Sequence, residues 1–257
     1  MPHQPKIFLS FDIEEFDLPE EFGATISDTD KIAIPALGTT RILDLLASKK
    51  VRATFFCTFF FAEKQPELIK RMVAEGHEIA SHGMNHTTFQ INDLRQSREK
   101  LEELAGVCVK GFRMPRLGHA SAEDIFMAGY SYDSSVNPTW LPGRYNHLGA
   151  PKRPFKEQCG LQEYPISVTP LLRFPLFWLS YKNLPLFMYK RLAGFSARRL
   201  RFFNLYLHPW EFNERCREPQ WQIPSRITRH AGIPYMKRLS SFIDYMTKIG
   251  ELCLIRN

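Results

Sequence analysis

Gly76-His77-Glu78-Ile79-Ala80-Ser81-His82-Gly83-Met84-Asn85-His86 is the stretch on which the fold turns. Its His77–Ala80 part reads as a brief strand that delivers His82 and His86 to its C-terminal end. Gly83 and Asn85 disfavour a regular helix between the two histidines. Two imidazoles four residues apart reach one ion from a helix or a tight loop, and zinc-like metals take neutral imidazole readily. The stretch is not His-Glu-x-x-His, so a helical metalloprotease reading lacks its general base. By spacing alone the pair also reads as two surface histidines beside a turn.

Upstream, Ile7–Phe11 is an apolar run of strand length that ends in Asp12-Ile13-Glu14-Glu15. Strand side chains alternate, so Asp12 and Glu14 point one way while Ile13 points into the core. Two carboxylates so placed repel each other unless a cation or a proton intervenes. The plainer reading is an acidic loop, since Glu15, Asp17, Glu20 and Glu21 follow. A helix is expected from Ile34-Pro35-Ala36 to Lys50, then a strand over Val51–Cys57. A second helix is expected over Pro66–Ala74, with Gly76 in the usual closing position.

Downstream, Asn92 is the expected cap of a helix reaching Ala105, and Val107 begins a strand ending at Arg113. Ser121 caps a helix to Met127, and Tyr130–Asp133 is strand-like. Asn137 to Gly160 reads as a long loop and Leu161–Val168 as a strand. Phe202–Leu207 delivers His208-Pro209-Trp210-Glu211; a helix over Ile233–Ile249 and a strand over Leu252–Ile255 follow. This alternation predicts a mostly parallel sheet, open or closed into a barrel, whose sites form at the carboxyl ends of strands. Asp12, Glu14, His82, His86, Arg113 and Asp133 all fall there.

The 257 residues are expected to form one domain over 1–257, with 44% hydrophobic residues and 24% charged ones. No apolar run approaches the roughly 20 residues that span a bilayer. Met1–Lys6 leads straight into a strand without the pattern of a signal peptide. Five scattered cysteines without a C-x-x-C pair read as free thiols of a reducing cytosol. The net charge of +7 is concentrated between Pro170 and Arg201, where seven basic residues meet seven aromatics and no acid. That segment reads either as a solvated face with an aromatic core side or as an interfacial element on anionic lipid. No recognition motif for nucleic acid accompanies the charge.

Taken in order, four short motifs resemble the polysaccharide deacetylase family (NodB homology domain, carbohydrate esterase family 4). Phe11-Asp12-Ile13-Glu14 resembles its T-F-D-D-G motif, and Ser81-His82-x3-His86 its H-[ST]-x-x-H-bearing motif. Arg113-Met114-Pro115 resembles R-x-P, and Leu205-x-x-His208 the closing L-x-x-H. The resemblance covers roughly residues 6–255 and implies a distorted (β/α)7 barrel with mostly parallel strands. Two departures stand out. Asp12-x-Glu14 replaces the adjacent Asp pair, as in an intracellular and allantoinase-like subgroup. Asp133-Ser134-Ser135-Val136 replaces D-S-x-D-W, so the acid that would orient His208 is missing.

The resemblance implies one divalent ion, zinc or else Co2+, Ni2+ or Mn2+, held by Glu14, His82 and His86. It implies Asp12 as general base, Arg113 as its partner and His208 as the acid that protonates the departing amine. It places the tetrahedral oxyanion on the metal and a backbone N–H near Arg116. Trp210 either lines the sugar site or fills core. The implied activity is hydrolysis of a non-peptide C–N amide bond, N-deacetylation of an amino sugar, in the cytoplasm or at the inner membrane face. An N-acylated amino sugar, lipid-linked or nucleotide-linked, is the expected partner, with 170–201 as a candidate lid or membrane contact. A non-sugar amide and a catalytically silent carbohydrate-binding domain are the competing readings.

Overall fold

β1 (Lys6–Ile13) is the strand around which the sheet assembles. Along one edge it pairs in parallel with β10 (Phe202–Leu207) from Lys6 to Phe11. β11 (Glu251–Cys253) takes its first half and β2 (Thr54–Cys57) its last residues, Ser10 to Ile13. The sheet then continues through β3 (Glu78–Ser81), β4 (Gly111–Phe112), β5 (Tyr132–Asp133) and β9 (Gln162–Glu163), all parallel. β8 (Phe155–Lys156) joins it antiparallel, and β6 (Trp140–Leu141) and β7 (Tyr145–Asn146) form a separate hairpin. This structure is a computed structural model that describes residues 4–255. Met1–His3, Arg256 and Asn257, the ends of the domain expected over 1–257, lie outside the described residues.

Seven of the parallel strands, β10-β1-β2-β3-β4-β5-β9, curl into a distorted (β/α)7 barrel, with β11 beside β1. The gap between β9 and β10 is bridged by the chain after β9, where Ser167 N–H donates to Asn204 O at 3.1 Å and Asn204 N–H to Ser167 Oγ at 2.8 Å. Helices cover the outside in chain order: α1 (Leu18–Glu21), α2 (Asp28–Lys49), α3 (Phe59–Lys64), α4 (Pro66–Ala74) and α5 (Ile91–Ala105). α6 (Ala122–Met127), α7 (Trp178–Asn183), α8 (Leu186–Leu200), α9 (Ser225–Thr228) and α10 (Ile233–Met246) complete them.

The two-residue period of β1 sorts its side chains into two layers. Ile7, Leu9, Phe11 and Ile13 enter the main core between sheet and helices. Phe8 enters a smaller cluster with Phe56, Ala80, Tyr132 and Phe202. Ser10 and Asp12 follow Phe8 along the same side, and both are buried. The barrel interior is therefore apolar at the start of β1 and becomes polar toward its carboxyl end, where the site residues lie.

Several expected boundaries move. α2 begins at Asp28, two turns before Ile34, with Ser27 Oγ accepting from Asp30 N–H at 3.1 Å as the cap. Pro35 therefore lies inside the helix, and the carbonyl its missing N–H would serve, Lys31 O, accepts instead from Phe16 N–H at 2.9 Å. The cap of α5 is Gln90 rather than Asn92: Gln90 N–H donates to Asp93 Oδ2 at 2.8 Å. The strands expected over Val107–Arg113 and Leu161–Val168 shorten to β4 and β9, and the expected loop over Asn137–Gly160 contains β6, β7 and β8. α3, unanticipated, is capped by Thr58, whose hydroxyl accepts from Phe61 N–H. All five cysteines are free, and among the described residues no helix is long and apolar enough to cross a membrane.

Two glycines shape the approach to the site. Gly83 has φ +83° between the histidines, a conformation that L side chains rarely adopt. Gly38 lets α2 lie against the chain after β10, because a Cβ there would meet Pro209 O at 1.8 Å. α2 is thereby packed directly on the turn that carries His208.

Candidate active site

The carboxyl ends of β1, β3, β4 and β10 deliver Asp12, Glu14, His82, Arg113 and His208 to one end of the barrel, and the loop after β3 adds His86. Glu14, His82 and His86 each offer one ligand atom, all within 4.8 Å of one another, and the three residues are buried. His82 Nδ1 lies 2.8 Å from Arg113 O, and a carbonyl only accepts, so Nδ1 carries the proton. His86 Nδ1 donates in the same way to the Asp17 carboxylate at 2.9–3.0 Å. Both rings therefore present an Nε2 lone pair. Those atoms stand 3.3 and 3.0 Å from Glu14 Oε2.

Three electron-rich atoms converge with no proton between them in the neutral tautomers, and among the described residues Glu14 Oε2 and His82 Nε2 have no hydrogen-bond partner. A proton or a cation resolves this. Burial works against it, yet Glu14 and Asp17 lift the His86 pKa well above its usual value. The Glu14 carboxyl, also opposed by burial, is held well below its usual range by His86, His208 and His82. Two imidazole nitrogens and one carboxylate oxygen are the donor set of a zinc-like ion with open positions, and the Nδ1 partners fix both rings. The residues present fit such an ion.

Asp12 stands outside this triad and belongs to Arg113. Arg113 is fully buried, and its Nη1 donates to Asp12 Oδ1 at 2.6 Å and to Ser10 Oγ at 2.9 Å. Its Nε and Nη2 donate to Ser134 O and Ser134 Oγ, and its guanidinium lies 4.0 Å from the Phe56 ring centre. Asp133-Ser134-Ser135 therefore orients the arginine rather than His208: Asp133 Oδ1 accepts from Ser134 N–H and Ser135 Oγ.

The acid facing His208 comes instead from three residues on. Glu211 Oε2 accepts from His208 N–H at 2.8 Å and lies 3.4 Å from His208 Nδ1. Glu211 is itself fully buried against Lys182, with Nζ 2.6 Å from Oε1, and accepts from Tyr235 OH at 3.1 Å. Burial would raise the Glu211 pKa, but Lys182 first and His208 second hold it below the usual value. Burial likewise opposes a charge on His208, and Glu14 and Glu211 outweigh it, raising its pKa. His208 is packed between Trp210, stacked at 5.4 Å, and the edge of Trp178 at 5.1 Å.

Arg116 and Trp210 both line the cavity over these groups, but neither is free. Arg116 donates to Asp17 at 3.1 Å and pairs with Glu21, while its backbone has φ +57°. Trp210 is 3% exposed, donates from Nε1 toward Glu14 Oε1 at 3.4 Å and packs on Phe16. It is a wall rather than an open platform for a sugar face. Glu15, Asp17, Glu211 and Lys182 were not singled out by sequence. The acidic loop is in fact buried at Glu15 and Asp17, and Glu15 accepts from Thr58 Oγ1 and His86 N–H. The cavity holds about 310 Å3 and takes Phe177, Trp178 and Leu179 from the basic aromatic segment.

Residues 3–124 match the polysaccharide deacetylase family model. A chitooligosaccharide deacetylase of Sinorhizobium fredii (strain NBRC 101917 / NGR234) is 52% identical over 48 residues, 19% of this chain and 22% of that protein. The chain thus spans about a fifth of that relative's length. A solved Mycobacterium smegmatis structure assigned to the polysaccharide deacetylases superposes with a TM-score of 0.63 at 20% identity, over 96% of this chain and 85% of the other. The Puue allantoinase superposes with a TM-score of 0.67 at 15% identity, over 96% and 86%. At these identities the superpositions speak for the fold alone.

Proposed function

We propose, for a chain that belongs to the polysaccharide deacetylase family, that it hydrolyses the N-acyl group of an amino sugar with the help of one divalent ion. The observation that carries the reading is the convergence of Glu14, His82 and His86 beside the Asp12–Arg113 pair and His208. Those three ligands would hold zinc or a similar ion, which supplies a polarised amide carbonyl and a more acidic water. Asp12, oriented by the Arg113 guanidinium, takes the proton of the attacking water. His208 Nε2, 4.0 Å from Glu14 Oε1, gives a proton to the departing amine nitrogen. Glu211 supports that role, because a carboxylate at Nδ1 favours the protonated ring. Trp178 and Trp210 pack on two sides of the His208 ring and fix its orientation toward the cavity. The products are a carboxylate, acetate for an acetyl group, and a free amine.

The substrate is an N-acylated amino sugar joined to a lipid or a nucleotide rather than to a long polymer. A cavity of about 310 Å3, walled by bulky side chains from α7, supports a small ligand. Every exposed side chain between Pro170 and Arg201 is apolar or arginine, among them Leu171, Leu172, Phe187 and Arg191. That composition supports contact between this face and an anionic membrane. Release of free amine from N-acetylated amino sugars by the zinc-loaded protein tests the reading. Amine release abolished by Asp12→Asn is the expected result; a metal-loaded protein that releases none from any such sugar would sink it.

A further inference from the structure

The charged side chains around the cavity sort into partners. Asp12 is taken by Arg113, Glu14 by the two histidines, and Asp17 and Glu21 by Arg116. Two cavity-lining charges remain. Arg144 and Arg226 are exposed, and among the described residues neither has a carboxylate within 4.0 Å. The 310 Å3 cavity thus combines a carboxylate-rich floor with two unmatched cations.

Both arginines stand on elements that are tied down. Arg144 belongs to the β6–β7 turn, where Leu141 pairs with Tyr145 and Arg144 N–H donates to Leu141 O at 3.0 Å. Its charge acts on Tyr145 and Tyr206, two walls of the cavity. Arg226 belongs to α9, whose carbonyls are anchored on α7. Arg226 O accepts from Asn183 Nδ2 at 2.9 Å and Ile227 O from Lys182 Nζ at 2.5 Å. α7 in turn supplies Trp178 and Leu179 to the wall. The backbones of both residues are therefore fixed relative to the cavity before any ligand arrives, which lowers the cost of binding.

We infer that Arg144 and Arg226 hold the phosphate of a phosphorylated N-acyl amino sugar, so that the substrate is a sugar phosphate or diphosphate ester rather than a neutral glycan. The inference rests on the amino-sugar reading above and adds the group next to the sugar. Guanidinium forks match phosphate oxygens in pairs, and two of them balance a phosphate charge of about −2. No Asp or Glu occurs between Glu163 and Glu211, so the 47 residues that supply α7, α8 and β10 add no competing negative charge. A phosphate ester is shared by nucleotide-linked and lipid-linked sugars, and the mouth of the cavity selects for that shared group.

Trp178 and Trp210 line the cavity, so intrinsic tryptophan fluorescence of the zinc-loaded full chain reports binding. The probes are N-acetylglucosamine, its 1-phosphate, its uridine diphosphate ester, and its polyprenyl diphosphate ester in phosphatidylcholine vesicles. The phosphate esters should bind at least about 100-fold tighter than the neutral sugar, roughly tenfold for each arginine. Arg144→Gln and Arg226→Gln should each lose about tenfold, and the double variant should bind ester and neutral sugar alike. Equal affinity for ester and neutral sugar in the wild type overturns the inference. So does selectivity that survives the double substitution, which would put the phosphate on the metal. Preference between the uridine and polyprenyl esters identifies the source of the phosphate, and either preference sustains the inference. Amine release without phosphate selectivity defeats this inference alone, whereas phosphate selectivity without amine release defeats the hydrolytic reading alone.

Discussion

Replacing Lys182 by Met puts the buried support of His208 to the test. Lys182 and Glu211 are both 0% exposed and lie 2.6 Å apart, and the Lys182 Nζ also donates to Ile227 O and sits 4.9 Å from the Trp210 ring centre. Methionine fills a similar volume without charge. It would leave the Glu211 carboxylate in the core with Tyr235 OH and His208 N–H as its remaining donors. Breaking a buried pair from one side costs about 3–5 kcal/mol, because the surviving charge has been stripped of water and of its partner. At about 2–4 °C per kcal/mol for a protein near this size, the melting temperature should fall by about 6–20 °C. Glu211→Gln added to Lys182→Met removes the stranded charge, so the double variant should recover most of that loss. A thermal melt of the four members of this cycle reads the coupling directly. If Lys182→Met costs under about 1 kcal/mol, or the double variant is no more stable than the single one, the pair is not the desolvated couple argued here.

The site was legible in sequence wherever a strand end and a chemically marked residue coincide. Asp12, Glu14, His82, Arg113 and His208 stand at such ends, His86 follows in the loop after β3, and the two-residue period along β1 separates Ile13 from its acidic neighbours. The supports of that site were harder to read because they act through space. Asp17 looks like one more acid of a solvated loop until burial and His86 Nδ1 single it out. Glu211 did leave a local signal, an acid three residues after His208 on a turn beginning with proline, and the missing motif acid at Val136 drew attention elsewhere. Lys182 could not be paired from sequence, since its partner lies 29 positions away. The early start of α2 was hidden by Pro35, a residue that usually opens helices; here a contact from Phe16 N–H satisfies the carbonyl it orphans.

Three further outcomes follow from the same contacts. Asp17→Asn keeps the volume but weakens the hold on His86 Nδ1, and metal affinity should drop about 10- to 100-fold in a competitive chelator titration. Burial pushes the Asp133 carboxyl up to about 6, and Glu163 beside it well above its usual value, burial first and Asp133 second. Folded-state pKa values above the unfolded ones stabilise the fold at low pH; the Asp133 share is full below about pH 4 and is lost as pH rises through about 6, and the Glu163 share falls in the same direction. Melting temperature should therefore fall across this window by more in the wild type than in Glu163→Gln, and parallel curves would contradict the assignment. His208→Gln should lower kcat by about 10²- to 10⁴-fold with metal content unchanged, measured by amine release and elemental analysis.

Metal content of the purified protein bears most directly on the division of labour between the two carboxylates of Asp12-Ile13-Glu14. The wild type and Asp12→Asn should each carry close to one equivalent of a zinc-like ion, whereas Glu14→Ala and His82→Ala should carry almost none. Loss of the ion in Asp12→Asn but not in Glu14→Ala would reverse the two carboxylates, and a wild type that takes up no ion even after loading would contradict the metal centre itself.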